Sequence, residues 1–145
     1  MNSHLVAQSL KVVLANTYAL YLKTQSYHWH VTGIHFKPLH ELFESQYREL
    51  AEAIDAIAEH IRMLGETVPA SFKKLDDLNT LTDAIDHTDA ATMINELTED
   101  HFCLIEQLKE AVNKANSTGD EVSAGLLIER MAAHQKMAWF LKSSM

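Results

Sequence analysis

One stretch limits the folding options of this chain more than any other. Between Pro38 and Leu64, the residues Leu39, Leu42, Phe43, Leu50, Ile54, Ile57, Ile61 and Leu64 recur at helical spacing, with no glycine and no further proline to interrupt them. Pro38 suits a first helical turn, Gly65 supplies a left-handed terminus and Pro69 blocks continuation. The expected helix has ~27 residues and a length of ~40 Å. At ~100° per residue, His40, Glu44, Asp55 and Glu59 fall within ~100° of arc on one face of it. Along the axis, however, His40 and Asp55 lie ~22 Å apart, so one chain cannot close this set around a metal. Two antiparallel copies can. A two-fold axis near Glu49 and Leu50 sets His40 opposite Glu59 and Glu44 opposite Asp55. His28 lies twelve residues before His40 and completes the set. The spacing points to a metal site built between subunits.

The chain has 145 residues, which suits a single domain over residues 1–145. It is 47% hydrophobic and 22% charged, which separates it from disordered chains. With four Gly and two Pro, long helices run uninterrupted. No apolar run approaches the ~20 residues of a membrane span, so no membrane partner is expected. The opening MNSHLVAQSLKVVLAN lacks a basic start, so no signal peptide is expected. Cys103 is the only cysteine, which rules out an intrachain disulfide and makes the cytoplasm the default compartment. A net charge of −8 argues against a general nucleic-acid surface and suits a protein that attracts cations.

The remaining pattern is also helical. A first helix is expected to start after Asn2 or Ser3, to bury Val6, Leu10, Val13, Leu14, Leu20 and Tyr21, and to end near Thr32-Gly33. A long connection over 66–87 contains one short helical turn near Leu75–Leu78. A third helix runs from about Thr88 to Ala115, with Met93, Ile94, Leu97, Phe102, Ile105 and Leu108 inward. Thr118-Gly119-Asp120-Glu121 reads as the capping box of a fourth, which carries Leu126, Leu127, Met131, Met137, Trp139 and Phe140. Four helices with one long link between the second and third describe an all-α, ferritin-like four-helix bundle.

Such bundles often hold a di-iron site inside each chain through Glu-x-x-His motifs. None of the nine histidines here has Glu three residues earlier, so a metal site must lie elsewhere. Imidazoles and carboxylates together suit Fe(II), Zn(II) or Mn(II). A lone histidine is more often a satisfied or exposed residue, and a solvated helix face with chance spacing is the bland alternative. The shared face and the matched two-fold favour the site. His30 and His35 crowd the same region as additional or supporting ligands, against plain surface roles. Trp29 and Trp139 are placed to quench radicals or, more commonly for helical aromatics, to fill core. Met131 and Met137 read as packing, and Cys103 as a buried small hydrophobe.

The stretch KTQSYHWHVTGIHFKPLHELFESQYRELAEAIDAIAEHIRMLGETVPAS resembles the Dps family of mini-ferritins, the DNA-binding proteins from starved cells, and their non-DNA-binding relatives. The resemblance rests on Tyr27-His28-Trp29, Gly33-Ile34-His35-Phe36, Leu39-His40-Glu41, and Asp55 with Glu59. It is dense over ~50 residues, and the helix order extends it along the chain. It implies a hollow shell of twelve subunits with a ferroxidase site at each two-fold interface. His28 and His40 would come from one subunit, and Asp55 and Glu59 from its partner. Glu44 stands where the family often has Asp, and a longer arm still ligates.

The implied reaction is oxidation of Fe(II) to Fe(III) by hydrogen peroxide, or more slowly by oxygen, with up to two iron ions per site and zinc as a substitute. Ferric mineral would collect in the shell, with Glu41, Glu44 and Glu52 facing a common side. In the family, carboxylates near the start of the last helix line three-fold pores. Here that lining would be Asp120 and Glu121, against an equal reading as capping and dipole chemistry. Two other readings stand beside the ferroxidase. A DNA-protecting nucleoid protein is one, but nothing before Lys11 is basic and Lys109 and Lys114 flank Glu110, so DNA binding is expected to be weak or absent. A metal-buffering bundle without turnover is the other.

Overall fold

The computed structural model describes the backbone from residue 2 to residue 145 and side chains from residue 3 onward. Five helices follow one another: α1 (Asn2–His30), α2 (Phe36–Met63), α3 (Phe72–Leu78), α4 (Ala90–Ser117) and α5 (Glu121–Lys142). No strand occurs among the described residues. Helices α1 and α2 form one antiparallel hairpin, α4 and α5 the other. The hairpins meet most closely where α1 packs on α4, and α2 and α5 are joined through side chains such as Gln46, whose Nε2 donates to Met137 O at 3.1 Å. Short α3 lies against α1 within the crossover. This is the expected four-helix bundle with a helical link between its second and third long helices.

Capping chemistry sets most of the helix starts. Ser71 accepts from Lys74 N at 3.2 Å to open α3, and Asp89 from Thr92 N at 2.7 Å to open α4. The expected capping box beginning at Thr118 is displaced. Thr118 closes α4, its hydroxyl donating to Ala115 O at 3.0 Å, and Gly119 reverses the chain at φ 75°. Asp120 then caps α5 through Ser123 N at 3.0 Å. Helix α1 already includes Ser3, so Ser3 does not cap it, and the expected cap at Asn2 lies outside the described side chains.

The crossover is tied down by buried polar groups on α1. Asn16 accepts from Thr80 N at 2.8 Å and donates to Gln107 at 2.8 Å. Lys23, almost fully buried, meets Glu96 at 2.8 Å and Asp100 at 2.9 Å. Tyr27 donates its hydroxyl to Glu96 and accepts from Ile85 N at 3.0 Å. These bonds hold the C-terminal half of α1, and with it the end that carries His28. The window Ser3–His30 is long and apolar enough to cross a membrane, but half of it is buried inside the bundle, as a core helix requires.

The apolar core divides into two clusters. One gathers Leu20, Tyr27, Phe43, Leu97 and Leu141, the other Val6, Leu10, Ile57, Leu108 and Leu127. Buried polar residues sit at mid-height on α2, α4 and α5. His101 Nδ1 and His134 Nδ1 are 2.8 Å apart, Arg130 reaches His134 Nε2 at 3.4 Å, and Arg130 also forks onto both oxygens of Glu49. Arginine only donates, so His134 Nε2 accepts and His134 Nδ1–H donates to His101. The proton on His101 Nε2 then finds no partner. Burial first, and the Arg130 charge second, drive the His101 pKa down to about 3.

Several inward expectations fail here. Phe102 is 40% exposed, Trp139 64% and Phe140 42%, and Cys103 is also exposed. On α4 the buried positions around this turn are 97, 98, 100, 101, 104, 105 and 108, which leaves 102 and 103 rotated outward. On α5 the buried stripe joins Leu127, Met137 and Leu141 to Ser123, Arg130 and His134, so apolar periodicity finds part of the inward face and misses its polar members.

Candidate metal centre

The site begins at the α1–α2 turn. Helix α1 stops at His30, Gly33 adopts φ 109°, and Phe36 N bonds back to Gly33 O at 3.1 Å. That tight return lays the first turns of α2 beside the last turn of α1. His28 and His40 then stack with ring centroids 3.8 Å apart and planes 17° from parallel. His28 Nδ1 lies 2.7 Å from His40 O, and His40 Nδ1 lies 2.7 Å from His28 O. A carbonyl only accepts, so both Nδ1 atoms carry protons. In the neutral rings both Nε2 lone pairs are therefore free for a metal. Phe36 covers the His40 ring at 5.0 Å, and Tyr47 sets its edge against His28 at 5.2 Å.

Glu44 follows His40 by one turn. A ligand atom from each of His28, His40 and Glu44 falls within 4.8 Å of the others. His28 is buried, and the other two are partly so. Arg48, one turn further, donates Nε to Glu44 Oε2 at 2.9 Å. That bond holds the Glu44 carboxyl below its ordinary pKa, opposed by desolvation and assisted by the Arg48 and histidine charges. Two imidazole nitrogens and a carboxylate form a mixed donor set with open positions, suited to Fe(II) or Zn(II).

Asp55 and Glu59 do not join this cluster within one chain. Both are exposed on the same α2 surface, further along the axis. His30 is exposed, with Nδ1 turned back onto Ser26 O at 2.8 Å, and exposed His35 precedes α2 without making a side-chain cap. Trp29 is 58% exposed beside the site rather than core. Asp120 is occupied elsewhere: besides Ser123 N, its Oδ2 accepts from Ser123 Oγ at 2.6 Å, and that hydroxyl lies 2.8 Å from His60 Nε2. Burial raises the Asp120 pKa, but the two Ser123 bonds outweigh it and leave the carboxyl below its usual value. Glu121 is exposed in the first turn of α5. The Arg48–Glu44 pair adds a contact to the cluster that the pattern of histidines and carboxylates does not include, although Glu and Arg at i,i+4 are visible in the sequence.

A helical bundle with this crossover and this donor cluster defines a ferritin-like protein, and the ferritin-like domain matches residues 7–145. A low temperature-induced protein of Nostoc sp. is 39% identical over 132 residues, spanning 90% of this chain and 74% of the relative. The crystal structure of a Dps protein from Bacillus brevis superposes with TM-score 0.95 at 32% identity, covering 98% of this chain and 95% of that one. A Dps protein from Vibrio cholerae O1, described as a member of a broad superfamily of ferritin-like diiron-carboxylate proteins, gives TM-score 0.94 at 29% identity over 98% and 89% of the two chains. The chain belongs to the Dps family.

Proposed function

We propose that this protein is a ferroxidase that stores iron, with each active centre completed by Asp55 and Glu59 of the partner subunit. Membership in a ferritin-like, diiron-carboxylate lineage supports iron handling. The observation that carries the rest is the reciprocal pair of His28 and His40. Each fixes the other's tautomer, so two imidazole lone pairs and Glu44 converge before any metal arrives. Asp55 and Glu59 supply the missing oxygen donors once an antiparallel copy of α2 lies across the first.

Iron is the substrate. Two Fe(II) ions give one electron each to hydrogen peroxide, the O–O bond breaks, and two protons complete two waters. Delivering both electrons at one centre avoids release of hydroxyl radical. Oxygen serves as a slower oxidant. Zinc, which has no accessible redox step, occupies the centre without turnover. Large exposed apolar side chains on and beside the first hairpin and α3, Leu22, Trp29, Ile34 and Phe72 among them, support burial against neighbouring copies. A closed shell of twelve subunits in the cytoplasm is the assembly this reading takes. DNA is not a proposed partner, because the net charge of −8 opposes phosphate contact.

The test is an anaerobic Fe(II) titration of protein of measured assembly mass, followed by peroxide. Stoichiometric Fe(III) formation without hydroxyl radical is expected, and His40→Ala is expected to lower the rate at least about a hundredfold, as loss of a metal ligand does. Binding of iron without peroxide-driven oxidation would instead mark a metal buffer.

A further inference from the structure

Arg48 makes an unusual connection for an exposed side chain. Its Nε donates to Glu44 Oε2 at 2.9 Å, and Glu44 is the carboxylate that closes the cluster with His28 and His40. Its guanidinium carbon also lies 5.4 Å from the centroid of the Tyr47 ring. Tyr47 in turn sets its edge 5.2 Å from His28. Arg48 is therefore braced toward the cluster by a hydrogen bond and a ring face.

The position has two opposite consequences for an incoming divalent cation. The hydrogen bond orients the Glu44 carboxylate beside the imidazoles, which helps. It also engages one of the two carboxylate oxygens and places a permanent positive charge one hydrogen bond from a ligand, which hinders. Arginine keeps its charge at any working pH. The charge acts on the cation directly, whereas the hydrogen bond orients a single flexible carboxylate, so the net effect inferred at low salt is a weakening that screening reduces.

We propose that Arg48 is a positioning residue and a resident counter-cation of Glu44, which holds divalent-metal affinity below what the ligands alone would give. This rests on reading His28, His40 and Glu44 as metal ligands. A centre tempered in this way does not trap its cargo, so iron passes on once oxidised. Arg48 thereby sets the site as one of transit rather than retention.

Zinc provides a probe without turnover. Calorimetric titration of the assembled protein with Zn(II) is expected to show Arg48→Gln binding about three- to tenfold more tightly than the unsubstituted protein near 0.05 M salt. That gain is expected to shrink near 0.5 M salt, where the Debye length falls to about 4 Å. Arg48→Lys keeps the charge and is expected to stay within about threefold of the original. All proteins are matched for assembly mass by light scattering. Should Arg48→Gln not assemble, Arg48→Met removes the same charge on a similar stem. Unchanged or weaker zinc binding in the neutral variant overturns the proposal, and so does an Arg48→Lys protein as tight as the neutral one. His40→Ala separates the two ideas: if it binds zinc as the original does, the ligand assignment itself fails.

Discussion

His28 and His40 show how much one pair of residues can settle. Their stacking and crossed Nδ1 bonds to each other's carbonyls need no outside support. The sequence displayed their spacing but not this reciprocity, because a main-chain acceptor leaves no mark in side-chain identity. His101 and His134 were less legible still. Nothing in the pattern separated them from surface histidines, yet both are fully buried. Their pKa values lie well below the ordinary 6.5, that of His101 at about 3, because burial disfavours the charged ring. The unfolded chain then binds protons that the folded one refuses, so stability falls as pH drops through 6.5 toward 3. From pH 7 to pH 5, His101 alone is expected to remove about 2 kcal/mol. Urea unfolding at the two pH values measures this. The double variant His101→Gln/His134→Gln should flatten the loss, and an equal loss in it would contradict the assignment.

At the scale of elements, α2 and α5 are both legible through their buried apolar residues, and on both the buried polar ones escape. On α2 periodicity finds Leu39, Phe43, Leu50, Ile57 and Ile61, all buried, but not Gln46 and His60, which are buried beside them. The face of α5 that turns inward carries Leu127, Met137 and Leu141 together with Ser123, Arg130 and His134, and hydrophobicity scoring discards the last three. Trp139 and Phe140, expected with Leu127 and Met137, are exposed despite being apolar. The α4–α5 boundary shows a similar substitution of roles. Asp120 was weighed as pore lining or cap, and its carboxylate bonds Ser123 N and Ser123 Oγ. Asp120→Ala is expected to cost about 1 kcal/mol of stability from the lost cap. It also leaves the Ser123 hydroxyl facing His60 alone. Thermal unfolding checks the magnitude. If iron uptake by Asp120→Ala shells is unchanged once stability is allowed for, Asp120 is a structural cap; a severalfold slower uptake would restore it to an entry path.

Across the whole molecule, the bundle and its crossover followed from four long amphipathic segments with few breakers, and the solved Dps structures share that arrangement closely. On the proposed reading one chain carries half of a centre: two imidazoles and a carboxylate converge at one end of the α2 surface, and two further carboxylates lie further along it. A two-fold symmetric contact duplicates both halves and brings unlike halves together. The whole-molecule prediction follows directly. Assemblies formed from His40→Ala alone or Asp55→Ala alone contain no intact centre. Random equal mixing before assembly pairs the two variants at about half of the interfaces, and one of the two centres at each such interface then has every ligand. Peroxide-driven Fe(II) oxidation by the mixed assembly, measured against unsubstituted protein at equal mass, should therefore recover to about a quarter. Activity no higher than that of either variant alone would contradict a centre shared between subunits.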